Sequence, residues 1–250
     1  MKVIYSTDFN HSYTYDPAAA IGRMEAVVQA IKDHVIFLDA TPATEEDIAT
    51  IHTKQHMDQV RREGLYDIAA LAAGGAIQAA TIGLTEPCFA LIRPPGHHAS
   101  AGSAWGFCYF NNMSIALEKL RREGRIRQAQ VLDFDLHYGD GNVNILEGKG
   151  YVSICNPQAA TRNDYLREVE RFLTGRQVDI IGISAGFDHH QDDWGGLLAT
   201  EDYREMGRMV REAAARNGGG CFAVLEGGYN HRVLGRNVLA LIEGLDRSNP

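Results

Sequence analysis

The sequence VLDFDLHYGDG at residues 131–141 begins like a buried β-strand but carries several ionisable side chains. In an extended chain, Asp133, Asp135 and His137 project from one face, while the apolar residues between them occupy the other. Carboxylates against a hydrophobic core are unfavourable unless something compensates their charge. A bound metal dication would do so, and this stretch therefore predicts a metal site at a strand end.

A further carboxylate, Asp188, follows another apolar run in VDIIGISAGFDHH. Asp135, His137 and Asp188 would supply two oxygen ligands and one imidazole and leave room for water, as catalytic zinc sites do. The same ligands also suit ferrous iron. For each residue alone, the alternative is that Asp135 caps the following turn and His137 only fills space. The D-x-H spacing at one strand exit, with an acid at another, favours a metal site.

Two adjacent histidines, His97 and His98, follow a third apolar run in RPPGHHA. One imidazole could act as a general base, and such a base is commonly oriented by a carboxylate on its other nitrogen. Asp133 and Asp140 remain available for this once Asp135 binds the metal. The alternative is a solvated histidine pair in a Pro/Gly loop. Its position directly after a buried strand favours the catalytic role.

Tyr229 lies in EGGYN, after a fourth apolar run. The two glycines let the backbone turn sharply and approach a ligand closely, and the phenol could then donate a hydrogen bond to a developing oxyanion. Without that context, Gly-Gly-Tyr is more typical of a simple turn. The remaining histidines have no comparable surroundings and are interpreted as surface or structural residues: His11, His34, His52, His56, His189, His190 and His231.

The elements that must position these residues form an alternating pattern. Apolar runs rich in β-formers begin near residues 2, 35, 88, 129, 151, 178 and 221, and stretches with helical spacing cover 18–34, 71–83, 110–124, 163–173, 200–220 and 231–245. This alternation indicates an α/β fold with a parallel, helix-flanked sheet, here in a single domain over residues 1–250. In such sheets, ligands bind beyond the carboxyl ends of the strands, where the candidate residues occur.

Composition narrows the class of protein. The chain has 250 residues, 45% of them hydrophobic, and is long enough for a sizeable core. It has neither an apolar run of membrane-spanning length nor a signal-like N-terminus, which predicts a cytoplasmic protein with no membrane association. Its four scattered cysteines predict buried reduced thiols. The formal charge of -8 argues against nucleic acid as a partner and mildly favours cationic ligands.

Five segments together resemble the zinc-dependent histone deacetylase and acetylpolyamine amidohydrolase family. They are RPPGHHA, GFCYFNN at residues 106–112, DFDLHYGDG, SAGFDHH and EGGYN, and they occur in the family's order from about residue 50 onward. The resemblance implies the arginase-deacetylase α/β fold, with the active site at the carboxyl ends of the strands. It further implies zinc on Asp135, His137 and Asp188, and Tyr229 as the group that polarises the substrate carbonyl.

The resemblance also implies a charge-relay arrangement around the metal. His97 would pair with Asp133, and His98 with Asp140. Both histidines would then be oriented for proton transfer.

Further implied roles concern the substrate and a second cation. Gly106 and Phe107 would line an acyl-lysine channel, with the Gly106 carbonyl accepting the scissile amide N–H, and Gly228 would be a further substrate-binding residue. A structural K+ or Na+ would lie behind the zinc. Its expected ligands are Asp133, Asp135, His137, Ser153 and Ile154.

Several departures from the family pattern affect the rim. Tyr138 stands where class I relatives usually have histidine, and the sequence YDPAAAIGRMEAV lacks the HPERP pattern. After VSICNP the chain passes quickly into a helix, without the long loop that forms one tunnel wall in relatives. Lys54 lies about where eukaryotic deacetylases carry a rim Asp. The missing wall and Lys54 predict an open site that accepts small or bulky N-acyl amines better than histone peptides or acetylpolyamines.

The resulting expectation is a metal-dependent deacetylase that hydrolyses a small acylated amine or acyl-lysine, with a homo-oligomer possible. One alternative is a dimanganese ureohydrolase on the same fold, but this would need extra carboxylates beside Asp188. The other is a non-hydrolytic acyl-amine binding protein. Tyr229 beside both histidines argues against a pure binder, which needs neither a general base nor an electrophile.

Overall fold

A computed structural model describes residues 1–246 of the chain. Its strands are β1 Lys2–Tyr5, β2 Ile36–Asp39, β3 Cys88–Ala90, β4 Ala129–Asp133, β5 Val152–Cys155, β6 Ile180–Ala185 and β7 Gly220–Leu225. They form one sheet in the order β2-β1-β3-β7-β6-β4-β5, with every pairing parallel. Each predicted apolar run overlaps one of these strands, which confirms the predicted α/β class.

Helices connect and cover the strands. Over the described residues they are α1 Arg23–Ile31, α2 Glu45–Ala49, α3 Lys54–Arg62, α4 Tyr66–Gly83, α5 Asn112–Arg122, α6 Asp140–Leu146, α7 Arg162–Thr174, α8 Thr200–Asn217 and α9 His231–Leu245. The predicted helical stretches correspond to α1, α4, α5, α7, α8 and α9. Helices α2 and α6 span only five and seven residues, too short for apolar periodicity to reveal them. Helix α3 is mostly polar and is defined by its cap, Thr53.

The four strand exits that carry the candidate residues belong to neighbouring strands. Strands β3, β7, β6 and β4 lie side by side, and every residue in them is buried. Because the strands are parallel, their carboxyl ends meet at one edge of the sheet. The fold therefore brings together side chains that are more than 130 residues apart in sequence, from His97 to Tyr229.

The extended conformation predicted for residues 133–137 is wrong. Strand β4 ends at Asp133, and the chain then bends. The main-chain N–H of Leu136 donates to Asp188 Oδ1 at 3.1 Å, and that of His137 donates to Asp135 Oδ1 at 2.9 Å. Carboxylates thus take the N–H groups that a neighbouring strand would otherwise have used, and the bend turns Asp135 and His137 toward Asp188.

The cysteines agree with the sequence prediction, except that Cys155 is only partly buried. All four are free thiols, and Cys88, Cys108 and Cys221 are buried. Within residues 1–246, no helix combines the length and apolar character needed to cross a membrane.

Two core tyrosines hold the backbone that leads into the site. Tyr165 donates to the Phe134 carbonyl and Tyr203 to the Phe187 carbonyl, both at 3.3 Å. Both tyrosines are fully buried. Phe134 directly precedes Asp135 and Phe187 directly precedes Asp188, so these hydrogen bonds fix the starting points of the two carboxylate-bearing segments.

We expect Tyr165→Phe to lower the free energy of unfolding by about 1–3 kcal/mol, because the buried Phe134 carbonyl loses its side-chain donor. Urea denaturation measures the change. Tyr15→Phe is the matched control, since Tyr15 is exposed, and it should leave the stability unchanged. Equal stabilities for the parent and Tyr165→Phe would show that this hydrogen bond does not hold the segment.

Candidate active site

Asp135, His137 and Asp188 form a compact group at the ends of β4 and β6. One potential ligand atom from each lies within 4.8 Å of the others. His137 Nδ1 is 3.1 Å from Asp135 Oδ1 and 3.1 Å from Asp188 Oδ2. Both carboxylates are buried, whereas the imidazole is partly exposed toward a cavity.

Glycines make room for these carboxylates. A Cβ on Gly186 would lie 2.1 Å from Asp135 Oδ2, and one on Gly227 would lie 2.5 Å from the same atom. The N–H of Gly227 donates to Asp135 Oδ2 at 2.8 Å. A side chain at either position would therefore displace the carboxylate, which explains why both strand exits begin with glycine-containing turns.

The donor set fits a divalent metal ion. His137 Nδ1 faces both Asp135 Oδ1 and Asp188 Oδ2, but its single proton can serve only one of them, and Asp188 Oδ2 is left buried without a hydrogen bond within the described part of the chain. Burial and the charge of Asp135 raise the pKa of Asp188 to about 7. Interactions with the Asp135 and Asp188 carboxylates raise the pKa of His137 to about 10. Both shifts indicate an excess of negative charge that a dication would neutralise.

Two histidine–aspartate pairs adjoin this group. His97 Nδ1 lies 3.3 Å from Asp133 Oδ2, and His98 Nδ1 lies 2.7 Å from Asp140 Oδ1. The centroids of the two imidazole rings are 4.0 Å apart. His97 also approaches the metal group, with Nε2 3.8 Å from Asp135 Oδ1.

The two imidazoles have opposite protonation preferences. Burial lowers the pKa of His97, but the charges of Asp135 and Asp133 outweigh burial and raise it well above its usual value. Burial and the charge of His97 lower the pKa of His98 to about 4. His98 is therefore neutral near pH 7. With Nδ1–H directed at Asp140, its Nε2 can accept a proton.

Tyr229 lies in the same cavity as the histidines. The cavity has a volume of ≈ 260 Å³, and its lining includes six of the predicted site residues: His97, His98, Gly106, Phe107, His137 and Tyr229. Burial and the charges of Asp135 and Asp188 raise the pKa of Tyr229 far above its usual value. The phenol therefore stays protonated and can donate a hydrogen bond.

Gly106 and Phe107 adopt backbone conformations that side chains rarely take. Their φ angles are 58° and 67°, and Phe107 is the one non-glycine residue with positive φ in the part of the chain that the structure describes. A Cβ on Gly106 would lie 2.3 Å from His98. The unfavourable backbone at Phe107 brings its ring to 6.0 Å from that of Tyr229, edge to face.

Ser153 lies outside the predicted monovalent-cation site. It pairs with Gln130, three residues before Asp133 on β4, and its Oγ accepts a hydrogen bond from Arg176 at 3.0 Å. Strand pairing instead puts Cys155 near the end of β4. The sequence motif VSICNP did not reveal how β5 pairs with β4, and the prediction of Ser153 as a ligand is wrong.

Comparison with known proteins identifies the family. The sequence matches the histone deacetylase domain over residues 18–159 and 148–245. The chain belongs to this family. A protein named "Probable deacetylase" from Methanothermobacter thermautotrophicus is 30% identical, and the match covers 98% of this chain and 91% of that relative. The "Histone deacetylase-like amidohydrolase" of Pseudomonas aeruginosa is 27% identical, with coverage of 82% and 69%.

A more distant relative and a solved structure extend the comparison. The human "Polyamine deacetylase HDAC10" is 26% identical over 92% of this chain and 45% of its own length. The crystal structure of the HDA15 HD domain aligns with a TM-score of 0.82 at 24% identity, covering 98% of this chain and 88% of that one. The structural likeness confirms the arginase-deacetylase fold expected from the sequence.

Two further residues singled out in the sequence do not line the cavity, and their roles at the rim and in substrate binding stay predictions. The Nζ of Lys54 forms an ion pair with Asp58 at 2.7 Å, and Lys54 does not line the cavity. Gly228 also lies outside the cavity lining, where Gly227 is found instead. The Gly228 carbonyl accepts a hydrogen bond from Arg23, so this glycine shapes the turn before Tyr229.

Sequence reasoning missed the residues that hold the Tyr229 segment. Asp193 Oδ2 accepts the main-chain N–H groups of Tyr229 and Asn230 at 2.8 and 2.7 Å. Arg23 donates to the carbonyls of Gly228 and Glu226 at 2.8 and 2.7 Å. Arg23 lies in a helix whose apolar spacing gives no sign of this role, and Asp193 is one of several acids in a loop.

Both tryptophans of the chain were also missed. Trp105 and Trp194 line the cavity and are 55% and 53% exposed. The ring of Trp105 lies 3.8 Å from that of His98, and the ring of Trp194 lies 4.1 Å from that of Tyr229. The sequence did carry a signal for both tryptophans, because each occurs in a loop that follows a predicted strand.

His52 supports the motif at residues 106–112 from outside the cavity. Its Nε2 accepts the main-chain N–H of Asn111 at 2.9 Å, and the neighbouring His56 donates to the Tyr109 carbonyl at 2.7 Å. Burial and the proximity of His56 lower the pKa of His52 to about 3. His52 is therefore a buried neutral histidine, consistent with its interpretation as a structural residue.

This burial makes stability depend on pH. His52 has a pKa of about 6.5 in the unfolded chain and about 3 when folded, so the unfolded state binds more protons between these values. Its contribution to stability is complete above pH 6.5 and is lost as the pH falls toward 3, by at most about 1.4 kcal/mol per pH unit.

We expect His52→Gln to be less stable than the parent at pH 7.5 but to lose stability less steeply between about pH 6 and 4, because glutamine does not titrate. Urea unfolding at a series of pH values measures both slopes. His34→Gln, at an exposed position, should retain the parental slope. If His52→Gln also retained it, His52 would not be the group that titrates.

Proposed function

We propose that this chain is a metal-dependent deacetylase that hydrolyses the amide of an N-acyl amine. The observation that carries the proposal is the convergence of a two-carboxylate, one-imidazole donor set, a neutral histidine and a protonated phenol around one cavity. Asp135, His137 and Asp188 would hold the ion, with Zn2+ as the proposed metal and Fe2+ compatible with the same donors. When bound, such an ion supplies Lewis-acid chemistry that polarises a carbonyl and activates water.

The chain's own groups would perform the proton transfers. Neutral His98 can take a proton at Nε2, while Asp140 stabilises the resulting imidazolium through Nδ1. Tyr229 would donate its phenolic hydrogen bond to the substrate carbonyl oxygen as negative charge develops there. His97, whose pKa lies above its usual value, can deliver a proton to the leaving amine.

Substrate positioning is proposed for the motif at residues 106–112. The Gly106 carbonyl would accept the N–H of the scissile amide, and the Phe107 ring would flank the acyl-amine chain opposite Tyr229. We propose a small acylated amine or acyl-lysine as the substrate class, and a cytoplasmic location stays a prediction. Lys54 is exposed and forms an i,i+4 ion pair with Asp58, and its role at the rim of the site stays a prediction.

A dimanganese ureohydrolase is not favoured by this site. Its D-x-D pair would place a second acid two residues after Asp188, where this chain has His190. The Nδ1 of His190 accepts the main-chain N–H of Asp192 at 3.1 Å, and its Nε2 lies 3.3 Å from Thr200 Oγ1. Both nitrogens are therefore engaged within the loop.

The test is release of acetate from an acetyl-lysine peptide and from acetylspermidine by the purified protein. We expect zinc-loaded protein to release acetate, a chelator to abolish release and added zinc to restore it. Binding of the acetylated compounds without acetate release would overturn the proposal in favour of a non-hydrolytic binder. A urea-type product with two manganese ions would favour the ureohydrolase.

We expect Tyr229→Phe to lower kcat by about a hundred- to a thousandfold, or roughly 3–4 kcal/mol, because the site loses a hydrogen-bond donor to the oxyanion. Zinc content should not change, since Tyr229 is outside the donor set. Steady-state kinetics and metal analysis of the same preparation check both points. Tyr138→Phe is the control, since Tyr138 directly follows His137 and is half-exposed, and it should retain the parental kcat. Near-parental kcat in Tyr229→Phe would rule out the proposed role of the phenol.

A further inference from the structure

Trp105 combines high exposure with two specific contacts. Its indole is 55% exposed, although a large apolar ring is normally buried. The ring lies 3.8 Å from the His98 imidazole at an interplanar angle of 31°, and Nε1–H donates to Asp140 Oδ2 at 2.9 Å. The same side chain thus contacts both members of the His98–Asp140 pair.

The two histidine–aspartate pairs differ in how their carboxylates are held. Asp133 is fully buried, and Asn142 Nδ2 donates to its Oδ2 at 3.0 Å. The Asp140 side chain is 34% exposed and accepts from His98 on Oδ1. Within the described residues, Trp105 supplies the side-chain donor to the other oxygen of Asp140. Trp105 therefore gives Asp140 a second side-chain donor, as Asn142 does for Asp133, but on the carboxylate oxygen that the histidine does not contact.

An indole suits this task for two reasons. Its N–H can only donate, so it stabilises the Asp140 carboxylate without offering a group that takes the proton meant for His98. Its planar ring covers one face of the imidazole and limits the access of water to it. The exposed carboxylate is thereby kept in line with His98 Nδ1.

We propose that Trp105 is a positioning residue that holds the His98–Asp140 pair in the geometry needed for proton transfer. This inference rests on the proposed function, because positioning affects turnover only if His98 transfers protons. Trp194 provides the comparison within the same cavity. It stacks on Tyr229 at 4.1 Å, and its Nε1 makes no hydrogen bond within residues 1–246.

The test uses two variants at position 105 and one at position 194. Trp105→Phe retains a ring but removes the N–H donor, and Trp105→Leu removes both. We expect kcat on an acetyl-lysine peptide to fall about tenfold in Trp105→Phe and further in Trp105→Leu, with KM within about twofold of the parent. Trp194→Phe retains a ring on the other side of the cavity. It should leave the His98–Asp140 pair intact and alter KM more than kcat.

A second readout does not depend on turnover. In histidine-labelled protein, the Nδ1–H of His98 should give a downfield proton resonance, assigned by its absence in His98→Asn. We expect this resonance to broaden in Trp105→Leu and to remain sharp in Trp194→Phe. Unchanged kcat in both position-105 variants, or a sharp resonance in Trp105→Leu, would overturn the inference. If the parent released no acetate, the proposed function would fail, and the resonance would still decide whether Trp105 orders His98.

Discussion

The negative charge of three buried carboxylates is the constraint on which this edge of the sheet depends. Asp133, Asp135 and Asp188 are each at most 5% exposed. Charges removed from water must be met by partners in the protein or by an ion. Main-chain N–H groups, imidazoles and glycines are accordingly arranged around these acids, and the shape of the cavity follows from that arrangement.

Charge compensation also explains the contrast between the paired histidines. The charges of Asp135 and Asp133 raise the pKa of His97, and the charge of His97 in turn lowers the pKa of His98. Glu226 adds a further negative charge near His97. Its carboxylate accepts hydrogen bonds from the main-chain N–H groups of Gly96 and His97 at 2.7 and 3.2 Å. The same group of buried charges thus shifts the pKa values of two adjacent, chemically identical side chains in opposite directions.

The sequence predicted the strands well because hydrophobic runs between helical stretches leave few alternative arrangements. It also placed the chemically important side chains at strand exits, and four of those exits proved to be adjacent. The bend after Asp133 could not be predicted, because it depends on hydrogen bonds to the Asp188 carboxylate, which is distant in sequence. The register of Ser153 depends on strand pairing that local motifs do not encode. Trp105 escaped notice because its partner, Asp140, begins helix α6, which follows a different strand.

The most direct measurement is the metal content of the protein after it is loaded with zinc and dialysed. We expect one equivalent per chain in the parent and none in Asp188→Asn, which keeps the shape of the side chain but removes the charge. Asp192→Asn, at an exposed acid nearby, should retain the full equivalent. Two equivalents in the parent, or one equivalent retained by Asp188→Asn, would contradict a single ion held by the buried carboxylates.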